Sequence, residues 1–180
     1  NVFLVRSIGE LRAVRTLVPD MVVQRYLGNG DEYTAGSISD ADGNVRAIII
    51  LRRVIEQGTT YRAELVRDST LEAEARAIVG RLGASGPCNL QFKIVDGKLT
   101  VFEVNPRFSG TTGMRYLFGF NDAEMAYDLH RMKMEVSQPE LKDFVVLRYW
   151  NEVLIPDATF DKINSDCTRA WHHRVCAVKS

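Results

Sequence analysis

Apolar residues recur along this chain with two periods. Leu11, Val14 and Val18 keep helical spacing, and Leu71, Ala75, Ile78, Val79 and Leu82 form a longer stripe of the same kind. Ser7, with Glu10 three residues on, reads as a capping box before the first stripe, and Pro19 ends it. Asp68 or Ser69 starts the second helix and Gly83 suits its C-terminal cap. Short apolar or alternating runs predict strands at Val2–Arg6, Met21–Leu27, Glu32–Asp40, Asn44–Arg52, Asn89–Val95, Lys98–Val104 and Phe144–Trp150. The chain therefore opens as strand, helix, strand. Ala41-Asp42-Gly43 marks a hairpin. The polar stretch Val54–Arg67 is expected to be irregular. Further helices are expected from about Thr111 and from Asn121, where Glu124 takes the third position.

The hairpin Asn89–Asn105 carries the most chemistry. Side chains alternate between the faces of a strand. Leu90, Phe92, Ile94, Thr100, Phe102 and Val104 give one almost wholly apolar face, so the core is expected there. Asn89, Gln91, Lys93, Glu103 and Asn105 give the other. A two-residue loop, Asp96-Gly97, opposes Val95 to Lys98 and mixes the faces. A three-residue loop, Val95-Asp96-Gly97, keeps parity and wants a left-handed Gly97. The three-residue loop is therefore expected, with Gln91 diagonal to Glu103 on one polar face. That face is either simply solvated or a site. Gln91, Glu103 and Asn105 offer only oxygen donors, the preference of Mg²⁺. Arg107, two residues on past the strand-ending Pro106, adds a guanidinium suited to an anion.

These residues sit inside wording that resembles the ATP-grasp superfamily. Cys88-Asn-Leu-Gln-Phe92 and Phe102-Glu-Val-Asn-Pro-Arg-Phe-Ser-Gly110 are similar to its metal-binding signature, nearest the carbamoyl-phosphate synthetase large-subunit type and its carboxylate–amine ligase relatives. Val23-Gln-Arg-Tyr-Leu27 with Asp31-Glu-Tyr-Thr34 resembles the hinge where that family holds adenine and ribose. The resemblance implies an α+β fold: a large lobe with an antiparallel sheet, plus the last strand, helix and strand of a small lobe. It covers about residues 1–132, with the small-lobe remainder at 1–27 and the large lobe at 28–132; residues 133–180, outside it, are expected to form a C-terminal extension packed on that lobe. It further implies an ATP- and magnesium-dependent ligase that activates a carboxylate as an acyl phosphate for an amine or similar nucleophile. Glu103 would bridge two Mg²⁺ ions between Gln91 and Asn105, and Gln91 and Glu103 would thereby meet the nucleotide. Arg107 would contact the transferred phosphate, Glu32 the ribose, and Gln24, Arg25 and Leu27 the adenine edge. Many relatives carry Glu at the position of Arg25. The family's glycine-rich loop and phosphate-binding lysine would lie upstream of Val2, so the chain is expected to be an inactive piece of a longer enzyme. A non-catalytic nucleotide-binding or interaction module is the alternative reading.

Composition narrows the partners. The 180 residues carry 23 Lys+Arg against 23 Asp+Glu, and this zero net charge argues against broad nucleic-acid or membrane-surface binding. The longest apolar run, Ala47–Leu51, is far short of a membrane span. Three cysteines cannot all pair internally, and a reducing cytoplasm is the expected compartment. Small molecules are the expected partners, with homo-oligomerisation left open.

Other features weigh less. Arg52 and Arg53 read equally as a surface pair and as contacts to phosphate or substrate. Ser109-Gly110-Thr111-Thr112 reads as helix capping or as an anion site. Cys167, His172, His173 and Cys176 lack the paired spacing of zinc modules. Met125, Met132 and Met134 read as core filling, and Trp150 and Trp171 as core aromatics.

Overall fold

Capping side chains set the helix boundaries in the computed structural model, which describes residues 2–149. Ser7 Oγ accepts the Glu10 amide at 3.1 Å and opens α1 (Ile8–Leu17). The Glu10 carboxylate accepts from the Arg6 amide at 2.7 Å. Asp68 accepts from the Thr70 and Leu71 amides at 2.9 and 3.0 Å, opening α2 (Ser69–Leu82), and Gly83 closes it with φ 62°. Asn121 caps α4 (Asp122–Tyr127) by accepting from the Glu124 amide. Before it lies α3 (Thr112–Leu117), and a π-helical turn, Asp128–Met132, follows it.

Six strands form one antiparallel sheet: β1 (Glu32–Ser39), β2 (Val45–Glu56), β3 (Thr59–Leu65), β4 (Gly86–Val95), β5 (Lys98–Asn105) and β6 (Val145–Leu147). Their spatial order is β5-β4-β1-β2-β3-β6. Alternation along the strands gives each face its own core. Ala35, Ile48, Ile50, Leu90 and Phe92 pack under Leu71, Ala75 and Val79 of α2. Ile38, Ala47, Ile49, Leu51 and Ala63 pack against Met114, Phe118, Phe120 and Met125 on α3, α4 and their connection. The β1–β2 turn is tied by Asp40, whose carboxylate accepts from the Asp42 and Asn44 amides, Asn44 Nδ2 and Arg46 Nε.

Several expectations need correction. Val2–Arg6 and Met21–Leu27 join no strand ladder among the described residues, so the predicted strand, helix, strand keeps only its helix. Residues 54–67 are mostly strand, the end of β2 and all of β3 around Gln57-Gly58. Their pattern misleads because Val54, Ile55 and Tyr61 stay exposed where the ribbon runs past the end of β1. The β4–β5 loop has two residues, Asp96 and Gly97, with φ of 51° and 74°, so Val95 does oppose Lys98. Parity is restored by a bulge: Phe92 opposes Val101 but Gln91 opposes Glu103, which leaves Phe102 as the extra residue. Below the bulge Leu99 and Val101, not Thr100, therefore pack on the α2-side core. Ile94 and Val104, expected in the core, are exposed, as are Met132 and Met134. Trp150, Trp171 and the Cys167–Cys176 cluster lie outside the described residues.

The helical layer is pinned through one buried ion pair. Arg115 on α3 donates through Nη1 to Asp122 Oδ2 at 2.9 Å, and both side chains are 2% exposed. Arg115 Nη2 reaches Asn89 Oδ1 on β4, which also accepts from Thr34 Oγ1 on β1. Gly36 makes room for this: a Cβ there would overlap the guanidinium. Burial pulls the Arg115 pKa down while Asp122 opposes the shift. Breaking a buried pair leaves an uncompensated charge, whereas replacing both partners by apolar groups is often neutral.

Two outcomes follow for stability. Arg115→Met lowers urea-unfolding stability by about 3–5 kcal/mol, and Arg115→Met with Asp122→Leu regains most of it. A single variant within about 0.5 kcal/mol of wild type would show that this pair fixes nothing. The Asp40 pKa lies below its ordinary 3.8, chiefly through the Asn44 side-chain hydrogen bond. Its contribution is thus fully present above that ordinary value and is lost as pH falls through the lower folded value. The stability gap between wild type and Asp40→Asn should be constant near neutral pH and close in strong acid, as followed by thermal melts across pH.

Candidate functional site

The sheet face that α3 and α4 cover along Ile49 and Leu51 becomes polar one step further on, at Arg53. Arg53 is paired in register with Glu32 at the start of β1. Its guanidinium is 10% exposed, and its Nη2 donates to Glu32 Oε2 at 3.3 Å and to Gln91 Oε1 on β4. Burial lowers the Arg53 pKa, while Glu32 and, more weakly, Glu103 hold the charge in place. Lys93, two residues beyond Gln91, donates to the Gly28 carbonyl at 2.6 Å and lies 4.0 Å from Glu32 Oε1.

The bulge at Phe102 brings Glu103 directly opposite Gln91, rather than diagonal to it, and both point to this same face. Asn105, opposite Asn89, donates through Nδ2 to Glu103 Oε1 at 2.6 Å. Arg107 donates to Asn105 Oδ1 at 3.3 Å and to the Phe108 carbonyl at 2.8 Å. Gln91, Glu103, Asn105 and Arg107 therefore form a chain of neighbouring polar groups along one strand end. Among the described residues no group of three or more His, Cys, Asp or Glu side chains is placed to hold a metal ion. The set here has one carboxylate and two amides. Its oxygens nonetheless suit a hard cation that keeps part of its water shell, as Mg²⁺ does.

A cavity of about 720 Å³ adjoins these groups. That volume falls in the range of small-molecule sites. Gln24, Arg25 and Leu27 line it together with Glu32, Lys93, Phe102 and Glu103. Leu11 and Val14 of α1, with Val18 just after it, line its apolar side. The structure thus brings Gln24, Arg25, Leu27, Glu32 and Glu103 to one cavity. Gln91 joins them through Arg53 and its pairing with Glu103, while Asn105 and Arg107 lie further along β5 and its exit.

Arg53 and Lys93 are the residues that the sequence reading underweighted. Arg53 is in phase with Ile49 and Leu51, so a charge continuing a buried row was the available signal. Lys93 shares its face with Gln91 and looked like a solvating residue. Arg52, on the opposite face, is a surface group paired to Asp31 and Glu64. Ser109 Oγ accepts from the Thr111 amide at 3.1 Å, a local turn before the six-residue α3, which has no side-chain cap of its own. No helix among the described residues is long and apolar enough to cross a membrane.

Comparison with known proteins bears on the family and the fold. Over 112 residues, 58% of its length, the chain is 30% identical to the carbamoyl phosphate synthase large chain of Thermoplasma acidophilum, of which it spans 10%. In fold it is similar to the ADP complex of an N5-carboxyaminoimidazole ribonucleotide synthetase, with a TM-score of 0.63 at 13% identity, covering 89% of this chain and 45% of that one. It is also similar to the L-amino acid ligase of Bacillus licheniformis, with a TM-score of 0.53 at 20% identity, covering 71% and 36%. The chain therefore spans under half the length of each of these proteins. A family model described as "ATP-grasp in the biosynthetic pathway with Ter operon" matches residues 17–153. With its antiparallel sheet, its α+β layering and most of its length matched by that model, this chain belongs to the ATP-grasp family.

Proposed function

We propose that this protein is an ATP- and Mg²⁺-dependent ligase that converts a carboxylate to an acyl phosphate for capture by an amine or similar nucleophile. The observation that carries the reading is Gln91 facing Glu103 across the β4–β5 ladder, beside a nucleotide-sized cavity, in an ATP-grasp chain. The names of two structural relatives, a carboxyaminoimidazole ribonucleotide synthetase and an amino acid ligase, point to the same reaction class.

In this reading adenine enters the 720 Å³ cavity against the backbone of Arg25 and Leu27, next to Gln24. The Glu32 carboxylate accepts from the ribose hydroxyls. Gln91, Glu103 and Asn105 would hold Mg²⁺, whose charge would offset that of the phosphates. A substrate carboxylate oxygen attacks the γ-phosphorus and ADP leaves. The nucleophile then attacks the acyl carbon and inorganic phosphate leaves. Arg107 supplies a fixed cation for the transferred group. Positioning and charge stabilisation do the work, so no side-chain nucleophile is required.

Two measurements test the reading. In calorimetric titrations, wild type binds ATP more tightly with Mg²⁺ than without. Glu103→Gln abolishes that gain, while the exposed control Glu135→Gln keeps it. With the intact protein, ADP forms only when Mg²⁺ and a carboxylic acid are both present, hydroxylamine traps the acyl phosphate as a hydroxamate, and Glu103→Gln slows ADP formation by about 10² to 10³. An unchanged Mg²⁺ dependence in Glu103→Gln would reduce Glu103 to a solvated carboxylate.

A further inference from the structure

We infer that Lys93 is a positioning residue of this site: it latches residues 21–28, one wall of the cavity, to the sheet and so sets the gap that receives the nucleoside. The inference rests on the nucleotide reading above for its ligand. Residues 2–28 supply most of the cavity lining, and Glu32, Lys93, Phe102 and Glu103 supply the sheet side. The first group is loosely held. Val2–Arg6 and Met21–Leu27 join no ladder, and no residue of α1 is buried. Among the described residues, the bond from Lys93 Nζ to the Gly28 carbonyl at 2.6 Å is the only hydrogen bond from residues 2–30 to the sheet.

That bond sits where the wall leaves the sheet. Gly28 follows directly on Leu27, and its φ of 75° is a conformation that residues with side chains avoid. Gly28-Asn29-Gly30-Asp31 then leads to β1, and a Cβ added at either glycine would meet nothing within 4 Å. Such a connection absorbs backbone rotation unless something holds it. Lys93 does so from the facing strand β4. A lysine that only solvates a sheet face keeps its ammonium in water. The Lys93 side chain is 14% exposed, and its ammonium goes to a carbonyl 65 residues earlier in the chain. The same ammonium lies 4.0 Å from Glu32 Oε1. One cation therefore fixes both the wall and the carboxylate assigned to ribose, which a surface lysine would not do.

The experiment uses the full chain as wild type, Lys93→Met and Lys93→Arg, each checked by thermal melting. Spin labels at Arg15→Cys on α1 and Lys98→Cys on β5, with Cys167 and Cys176 replaced by serine, report the distance from wall to sheet by pulsed electron resonance. Wild type should give a narrow distribution and Lys93→Met a broader or longer one. Lys93→Arg, which keeps a charged donor, should fall between them. In calorimetric titrations Lys93→Met should weaken adenosine, ADP and ATP by the same factor, about tenfold, as expected for loss of one bond from a charged donor. Lys93→Arg should recover part of that loss. An unchanged distance distribution in Lys93→Met would overturn the latch. A loss confined to ADP and ATP would make Lys93 a phosphate contact instead, and a lower melting temperature with unchanged affinities would make it a structural support only. Should Lys93→Met fail to fold, Lys93→Gln is read in its place by the same criteria. If wild type binds none of the three ligands, the nucleotide reading falls and the distance comparison alone decides the latch. If wild type binds them and Lys93→Met matches it, only the role of Lys93 falls.

Discussion

The Arg115–Asp122 pair is the constraint around which this sheet and its helices are arranged. A guanidinium deep in the protein must spend its donors on oxygens, and the oxygens at hand belong to different elements: Asp122 on α4, Asn89 on β4 and Thr34 on β1. One side chain therefore fixes two helices and two central strands in a single geometry. Gly36 is the corresponding concession in the sheet, since any side chain there would displace the guanidinium. Arg115 Nε and Asp122 Oδ1 remain unpartnered among the described residues, so the pair is a specific fit achieved at some cost in stability.

The same polar row runs outward from that buried centre. Asn89 is dry and fully committed to Arg115 and Thr34. Two residues along, Gln91 is half-buried and bonded to Arg53, and opposite it on the edge strand β5 Glu103 is exposed. Exposure thus rises step by step along the row, and the groups nearest the cavity stand on a buried, hydrogen-bonded base. Arg53 and Arg115 also feel each other as like charges across this short distance. Such an array favours an incoming anion, because its cations are already desolvated and held apart by the sheet.

How far the sequence disclosed this depends on which residue is asked. The helix α2 was legible from Asp68 to Gly83 because capping and periodicity are local properties. The Gln91, Glu103, Asn105 and Arg107 cluster was legible because alternation and a family signature coincide there. The shape of the hairpin was not. Asp96-Gly97 suits either loop, and nothing local announces that Phe102 is the extra residue. Residues 54–67 failed for a different reason. From Val54 to Tyr61 the ribbon runs past the end of β1 and leaves Val54, Ile55 and Tyr61 exposed, so that part of the pattern carries no clean period of two. Arg53 was ambiguous because its partners are supplied by strands 21 and 38 residues away in sequence. Val2–Arg6 and Met21–Leu27 have the composition of strands, but composition alone does not supply a ladder partner.

The bulge on β5 has a consequence for the chemistry of the cavity. A regular strand sends neighbouring side chains to opposite faces, yet Phe102 and Glu103 both line the same cavity. An aromatic wall and a carboxylate are thereby set side by side, a juxtaposition that unbroken pleating forbids. Phe102 is also surplus to the ladder. Removing it would leave Val101 against Phe92 and Glu103 against Gln91, now without a bulge. A one-residue deletion at Phe102 would thus take the aromatic wall from this cavity while the acid and amide stay aligned.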